Sequence, residues 1–173
     1  MFDELTPVSW IEVDPDLFEE EQCQMAEVAP GMTWAPEALA WIGELPEWPF
    51  DRERPEQLSA FLAGRRAVAS IRYSEAHPAA PPRVFVLSPE IDPRVRTRHD
   101  WHVNGDGTLC LFQNASDWLL TAGAADLLIK AASWFLEYCL MEDGRIDCMS
   151  ADGIVSDPSS DQLFTDRTSP DAE

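Results

Sequence analysis

Cys110 is the residue of this sequence best placed to do covalent chemistry. It stands in His99-Asp100-Trp101-His102-Val103-Asn104-Gly105-Asp106-Gly107-Thr108-Leu109-Cys110-Leu111-Phe112, with Trp118 beyond. A Gly-rich turn delivers the cysteine beside apolar residues, and two histidines and an asparagine precede it. The thiolate is the attacking form of cysteine and needs help to form near neutral pH. An asparagine amide nearby can donate to an oxyanion when a carbonyl is attacked. Taken alone, Cys110 between Leu109 and Leu111 would read as a small buried hydrophobe. Two other chemistries use the same residues. His99, His102 and Cys110 offer three zinc ligands, though no fourth is evident. His102 could serve as general base for Cys110 in a cysteine hydrolase. Cys23, Cys139 and Cys148 have no comparable setting, and Cys139 is expected in the core.

The elements around this segment follow from local pattern. Asp14-Pro15 opens a helix, with Asp14 as cap and Pro15 in the first turn. It is expected to run to about Ala29 and to stop at Pro30-Gly31. Leu17, Phe18, Met25 and Val28 would form its buried side. Glu19, Glu20, Glu21 and Glu27 would face water or a partner. Met32–Trp34 and Ala38–Leu45 read as strands, and 56–63 as a helical turn. Ala67–Tyr73 alternates, with Ala69, Ile71 and Tyr73 opposite Val68, Ser70 and Arg72. Ser74–Pro82 is a Pro-stiffened connection to a second strand at Arg83–Leu87, and residues 89–108 read as a long irregular loop of functional kind. Leu119–Met141 is the clearest helix, with Leu120, Ala124, Leu127, Leu128, Ala131, Phe135 and Tyr138 in one stripe. Asp126 and Lys130 form a possible i,i+4 pair.

Composition narrows the function. The net charge of −20 repels phosphate backbones and anionic membranes, so neither nucleic acid nor membrane is an expected partner. No stretch has the uninterrupted apolar length of a membrane span. The N-terminal residues lack the basic and apolar regions of a signal peptide. The cytoplasm, with reduced cysteines, is therefore expected. Acid gathers in 12–27 and 142–173. The first helix is read as a solvated face or as a docking surface for a basic partner. Residues 1–149 are expected to form one domain, and 150–173 an acidic flexible tail.

Residues 67–135 resemble the core of ubiquitin-conjugating enzymes. Family members have a strand, an aromatic-Pro-x-x-Tyr-Pro-x-x-Pro-Pro loop and another strand. This chain has Tyr73-Ser74-Glu75-Ala76-His77-Pro78-Ala79-Ala80-Pro81-Pro82-Arg83-Val84-Phe85-Val86. Gly107, Cys110, Leu111 and Trp118 hold the family's relative positions around its active cysteine. The His-Pro-Asn tripeptide has a counterpart in His102-Val103-Asn104, which lacks the proline and lies two residues nearer the cysteine. Extra residues separate Pro82 from His102, and the usual C-terminal helices are expected to be reduced. These departures point to a bacterial relative of the kind encoded beside anti-phage defence genes.

The resemblance implies an α+β, UBC-like fold: an N-terminal helix, a four-stranded antiparallel meander, an active-site loop and a long helix. It implies a transferase without a cofactor. Cys110 would take a ubiquitin-like protein, or the C-terminus of a nucleotidyltransferase, from an activating enzyme as a thioester, and a lysine amine of a target would then attack it. Asn104 or His102 would hold the loop or polarise the carbonyl, while Trp118 anchors the site by packing. Asn114, Ser116 or Asp117 would line the approach of the amine. The rival to catalysis is a scaffold that binds a ubiquitin-like partner without chemistry.

Overall fold

In the computed structural model, residues 9–112, 117–119, 122–151 and 157–165 are described. A short helix, α1 (Trp10–Val13), precedes α2 (Pro15–Val28). Four strands follow: β1 (Met32–Ala35), β2 (Ala40–Glu44), β3 (Val68–Arg72) and β4 (Arg83–Ser88). They pair antiparallel in chain order, a meander, with a register irregularity between Val68 and Ala69. A helical turn, α3 (Leu58–Leu62), lies between β2 and β3, and α4 (Ala124–Glu142) closes the fold. The architecture is the expected α+β class with four antiparallel strands and a long helix. None of its described helices is long and apolar enough to cross a membrane.

The core lies between the sheet and α4. Ala69 and Ile71 on β3 and Val84 on β4 are buried, as are Leu127, Leu128, Ala131, Leu136 and Leu140 on α4. Burial on α4 goes beyond the expected stripe: Ala131 to Glu137 are buried without a break, because the helix meets α2 as well as the sheet.

Asp14 caps α2 as expected, its carboxylate accepting the Leu17 N–H at 3.0 Å. One residue of that helix corrects the sequence expectation. Glu21, read as solvent-facing, is buried. Its carboxylate accepts the Trp41 indole N–H at 3.0 Å and the Tyr73 hydroxyl. A buried carboxylate is tolerated only when hydrogen-bonded, and these two donors tie α2 to β2 and to the end of β3. Burial and the Glu21 carboxylate push the Tyr73 phenol far above its ordinary range, so it remains a donor. Val28, expected on the buried side, is 38% exposed.

α4 begins later than the pattern implies. Leu119 lies outside it and is exposed, and Leu120 falls outside the described residues. Gly123 sits at its N-cap position, and its N–H donates to the Asp126 carboxylate at 3.0 Å. Asp126 is thus turned toward the helix start, while Lys130 reaches Leu111. The possible Asp126–Lys130 pair gives way to these two contacts.

Within the stretch from 150 onward, Pro158–Phe164 forms a 3₁₀ helix. Phe164 is 2% exposed and meets Phe61 with ring centroids 5.3 Å apart. Arg52 grips Asp161 through two 2.8 Å hydrogen bonds, and the Arg145 guanidinium donates to the Leu163 carbonyl.

Candidate functional site

The long connection from β4 to α4 ends in a small hairpin that presents Cys110. Asn104 N–H donates to the Thr108 carbonyl at 2.8 Å, and Gly107 N–H to the Asn104 carbonyl at 2.9 Å. Val103 and Leu109 pair as an isolated antiparallel bridge, and Cys110 N–H donates to the His102 carbonyl at 2.8 Å. Gly107 has φ +86°, the left-handed region that a side chain disfavours. The Asn-Gly-Asp-Gly run therefore makes the turn, and the residues after it return beside Val103.

A side-chain network stiffens this turn. The Asp106 carboxylate accepts the Thr108 N–H at 3.0 Å and its hydroxyl at 2.6 Å. The Thr108 hydroxyl oxygen accepts the Asn104 amide at 2.9 Å. Arg83 on β4 pairs with Asp106 from outside. The Thr108 hydroxyl and N–H hold the Asp106 carboxyl below the usual carboxylate range.

The hairpin is docked onto the sheet. Leu109 N–H donates to the Val84 carbonyl at 2.9 Å, and Thr108 bridges to Phe85. The rest of the loop is tied down as well. Thr97 N–H donates to the Val103 carbonyl, Trp134 Nε1–H to the Trp101 carbonyl, and Met149 N–H to the Asp100 carbonyl. Buried Val103, Thr108 and Leu109 thus form a base from which Cys110 projects exposed.

Cys110 Sγ lies 3.7 Å from the Phe112 carbonyl, its hydrogen-bond partner. Beyond it, Lys130 Nζ donates to the Leu111 carbonyl at 3.3 Å and sits 5.0 Å from the Phe112 ring centroid. Phe112 in turn meets Trp118 edge-on, with centroids 6.0 Å apart. Trp118 is buried, and its indole N–H donates to the Pro78 carbonyl at 2.8 Å. It therefore pins the segment after the cysteine to the Pro-rich loop between β3 and β4. His77 of that loop is buried among Trp10, Tyr73 and Trp118.

The helper residues stand in different relations to the cysteine. Asn104 shares its hairpin, but the asparagine amide is turned inward, to Thr108 Oγ1 and, at 3.5 Å, to the Leu109 carbonyl. His102 pairs with Cys110 through the backbone alone. Its ring lies 5.8 Å from that of His99 and hydrogen-bonds the Ser150 backbone. Burial lowers its pKa, His99 adds to that, and the Ser150 bond opposes it. Among the described residues, no hydrogen bond joins the His102 ring to Cys110, and no group of three His, Cys, Asp or Glu side chains forms a metal cluster. Asp117 is exposed next to Trp118. Asn114 and Ser116 lie outside the described residues. Sequence reasoning passed over Asp106 and Thr108, although the Asp-Gly-Thr spacing is a local signal for a side-chain-closed turn. It also passed over Lys130 as a neighbour of the cysteine, a relation that only the packing of α4 creates.

A four-stranded antiparallel meander, a long covering helix and a cysteine on the connection between them are compatible with an E2-like fold. Residues 63–142, just under half of the chain, match the family model E2-CBASS, Type II CBASS E2 protein. This segment is thus similar to E2-like proteins of CBASS anti-phage systems, and the likeness supports an E2-like conjugating role in that defence. β3, β4, the Cys110 hairpin and α4 all fall within the match. No curated protein matches the chain.

Proposed function

We propose that the protein carries an acyl group as a thioester on Cys110 and passes it to an amine. The donor would be a ubiquitin-like protein or the C-terminus of a nucleotidyltransferase, supplied by an activating enzyme, and the acceptor a lysine of a target protein. The observation that carries this reading is the presentation of Cys110. An exposed thiol stands on a hairpin whose base is buried and hydrogen-bonded to β4, inside the segment that matches the E2 family.

Such a site performs two steps. The thiolate attacks the activated carboxyl and expels the carrier thiol of the activating enzyme. The amine then attacks the thioester carbonyl, the C–S bond breaks and the thiolate returns, so one hard acyl transfer becomes two easier ones. The fixed turn limits the positions from which the amine can approach. Asn104 supports the second step as the keeper of the turn, since its amide is committed to Thr108 and Leu109 in the free protein. The acidic side of α2, with Glu19, Glu20 and Glu27 exposed, offers the activating enzyme a basic-partner dock. Cys110→Ala and Cys110→Ser test the reading in cells that carry the whole defence system. Both variants should lose the conjugates while the protein remains at normal abundance. Conjugates that persist in Cys110→Ala would refute it.

A further inference from the structure

We propose that Lys130 is a self-acylation site, accepting by intramolecular transfer the acyl group that Cys110 carries when no target amine is at hand. The inference rests on the thioester reading above. The sequence holds one lysine against eleven arginines. Guanidinium groups do not accept acyl groups under these conditions and remain charged, so Lys130 is the chain's sole side-chain amine nucleophile. Of all the places that amine might occupy, it lies on the segment that bears the cysteine. Lys130 Nζ contacts the Leu111 carbonyl at 3.3 Å and the Phe112 ring at 5.0 Å, while Cys110 Sγ contacts the Phe112 carbonyl at 3.7 Å. The two reacting groups therefore touch neighbouring peptides of one three-residue stretch. Both are exposed. Lys130 has no ion-pair partner among the described residues, so only one hydrogen bond and a ring contact hold it, and its four-carbon stem can swing.

The step balances without another reagent. The Lys130 ammonium gives a proton to a buffer base, and the neutral amine attacks the thioester carbonyl. The C–N bond forms, the C–S bond breaks, and Cys110 leaves as thiolate. The product is an amide that thiols do not cleave. Because the amine is tethered beside the thioester, this transfer outruns attack by dilute external amines.

The test uses the whole chain and a fluorescent peptide ending in glycine, supplied as a mercaptoethanesulfonate thioester, which loads a reactive cysteine without an activating enzyme. Expected in the wild type is a thiol-sensitive adduct on Cys110 that converts with time, faster at higher pH, into a thiol-resistant adduct mapped to Lys130 by mass spectrometry. Lys130→Arg keeps the cation and removes the nucleophile. It should lower the resistant fraction of total adduct at least about tenfold. The proposal is overturned if the resistant fraction is undiminished in Lys130→Arg, if Lys130 stays unmodified while the Cys110 thioester merely hydrolyses, or if Cys110→Ala acylates Lys130 as fast as the wild type. A wild type that forms no thiol-sensitive adduct at all would overturn the thioester reading itself.

Discussion

Two cysteines of this chain sit in opposite surroundings, and the contrast shows what the fold does for chemistry. Cys139 lies on α4 among Leu136, Leu140 and the other side chains that cover the sheet, and is 1% exposed. Burial pushes its thiol up to about 11, with Arg65 only partly opposing. It is a small hydrophobe in all but name. Cys110 stands on a surface hairpin whose backbone is as firmly bonded as a strand, yet its sulfur meets solvent. Rigidity in the two regions has different sources. In α4 it comes from apolar packing, and in the hairpin it comes from hydrogen bonds of backbone, Asp106, Thr108 and Asn104.

The largest expected contrast is in reactivity. At a pH near 8, a thiol at about 11 is a thiolate in roughly one molecule per thousand, and the core also shuts the reagent out. Iodoacetamide should therefore label Cys110 in the native protein at least about a hundredfold faster than Cys139, read by peptide mass spectrometry against time. Comparable rates would erase the distinction. Next comes stability. Leu128 is fully buried, and Leu128→Ala should cost about 3 kcal/mol in urea unfolding, whereas Cys110→Ser should leave the unfolding midpoint within about 0.5 kcal/mol of the wild type.

A smaller effect is expected from the hairpin's own network. Thr108→Val removes the hydroxyl shared by Asp106 and Asn104 at a buried position and should cost about 1–2 kcal/mol. Acyl loading of Cys110 should slow in this variant, while Cys139 labelling stays unchanged. The smallest is a pH effect. Burial depresses the His77 and His102 pKa values below the ordinary 6.5, with His99 adding at His102. The unfolded chain then binds more protons than the folded one below that value. The stability they lend is complete above 6.5 and declines as the pH falls toward the depressed values. His77→Phe, which keeps the ring among Trp10, Tyr73 and Trp118, should flatten that decline in urea midpoints measured on either side of 6.5.

Much of this arrangement is legible in the sequence because it is local. Asp14-Pro15 marks the start of α2, alternation marks β3, and the stripe from Ala124 onward marks α4. The spacing from Pro81-Pro82 through Gly107 to Trp118 points to Cys110 for the same reason: short-range turns set it. What escapes is non-local. Nothing in Glu19-Glu20-Glu21 distinguishes the third glutamate, because its partners Trp41 and Tyr73 arrive from other strands. Phe164 reads as part of an acidic stretch until Phe61 and Trp48 are seen to receive it. The inward turn of the Asn104 amide is equally hidden, since it depends on how the hairpin closes on Thr108. The E2-CBASS match covers residues 63–142, the segment from which that spacing is read.

The most direct measurement is the fate of the acyl group on purified protein loaded by its activating enzyme and donor. Freshly loaded wild-type protein should give an adduct that dithiothreitol removes and that peptide mapping places on Cys110, with thiol-resistant adduct on Lys130 forming only later. Cys110→Ser should give at most an oxyester, which resists dithiothreitol and yields to hydroxide. A thiol-sensitive adduct that persists in Cys110→Ala, or that maps to Cys23 or Cys148, would contradict the assignment of Cys110 as the carrier.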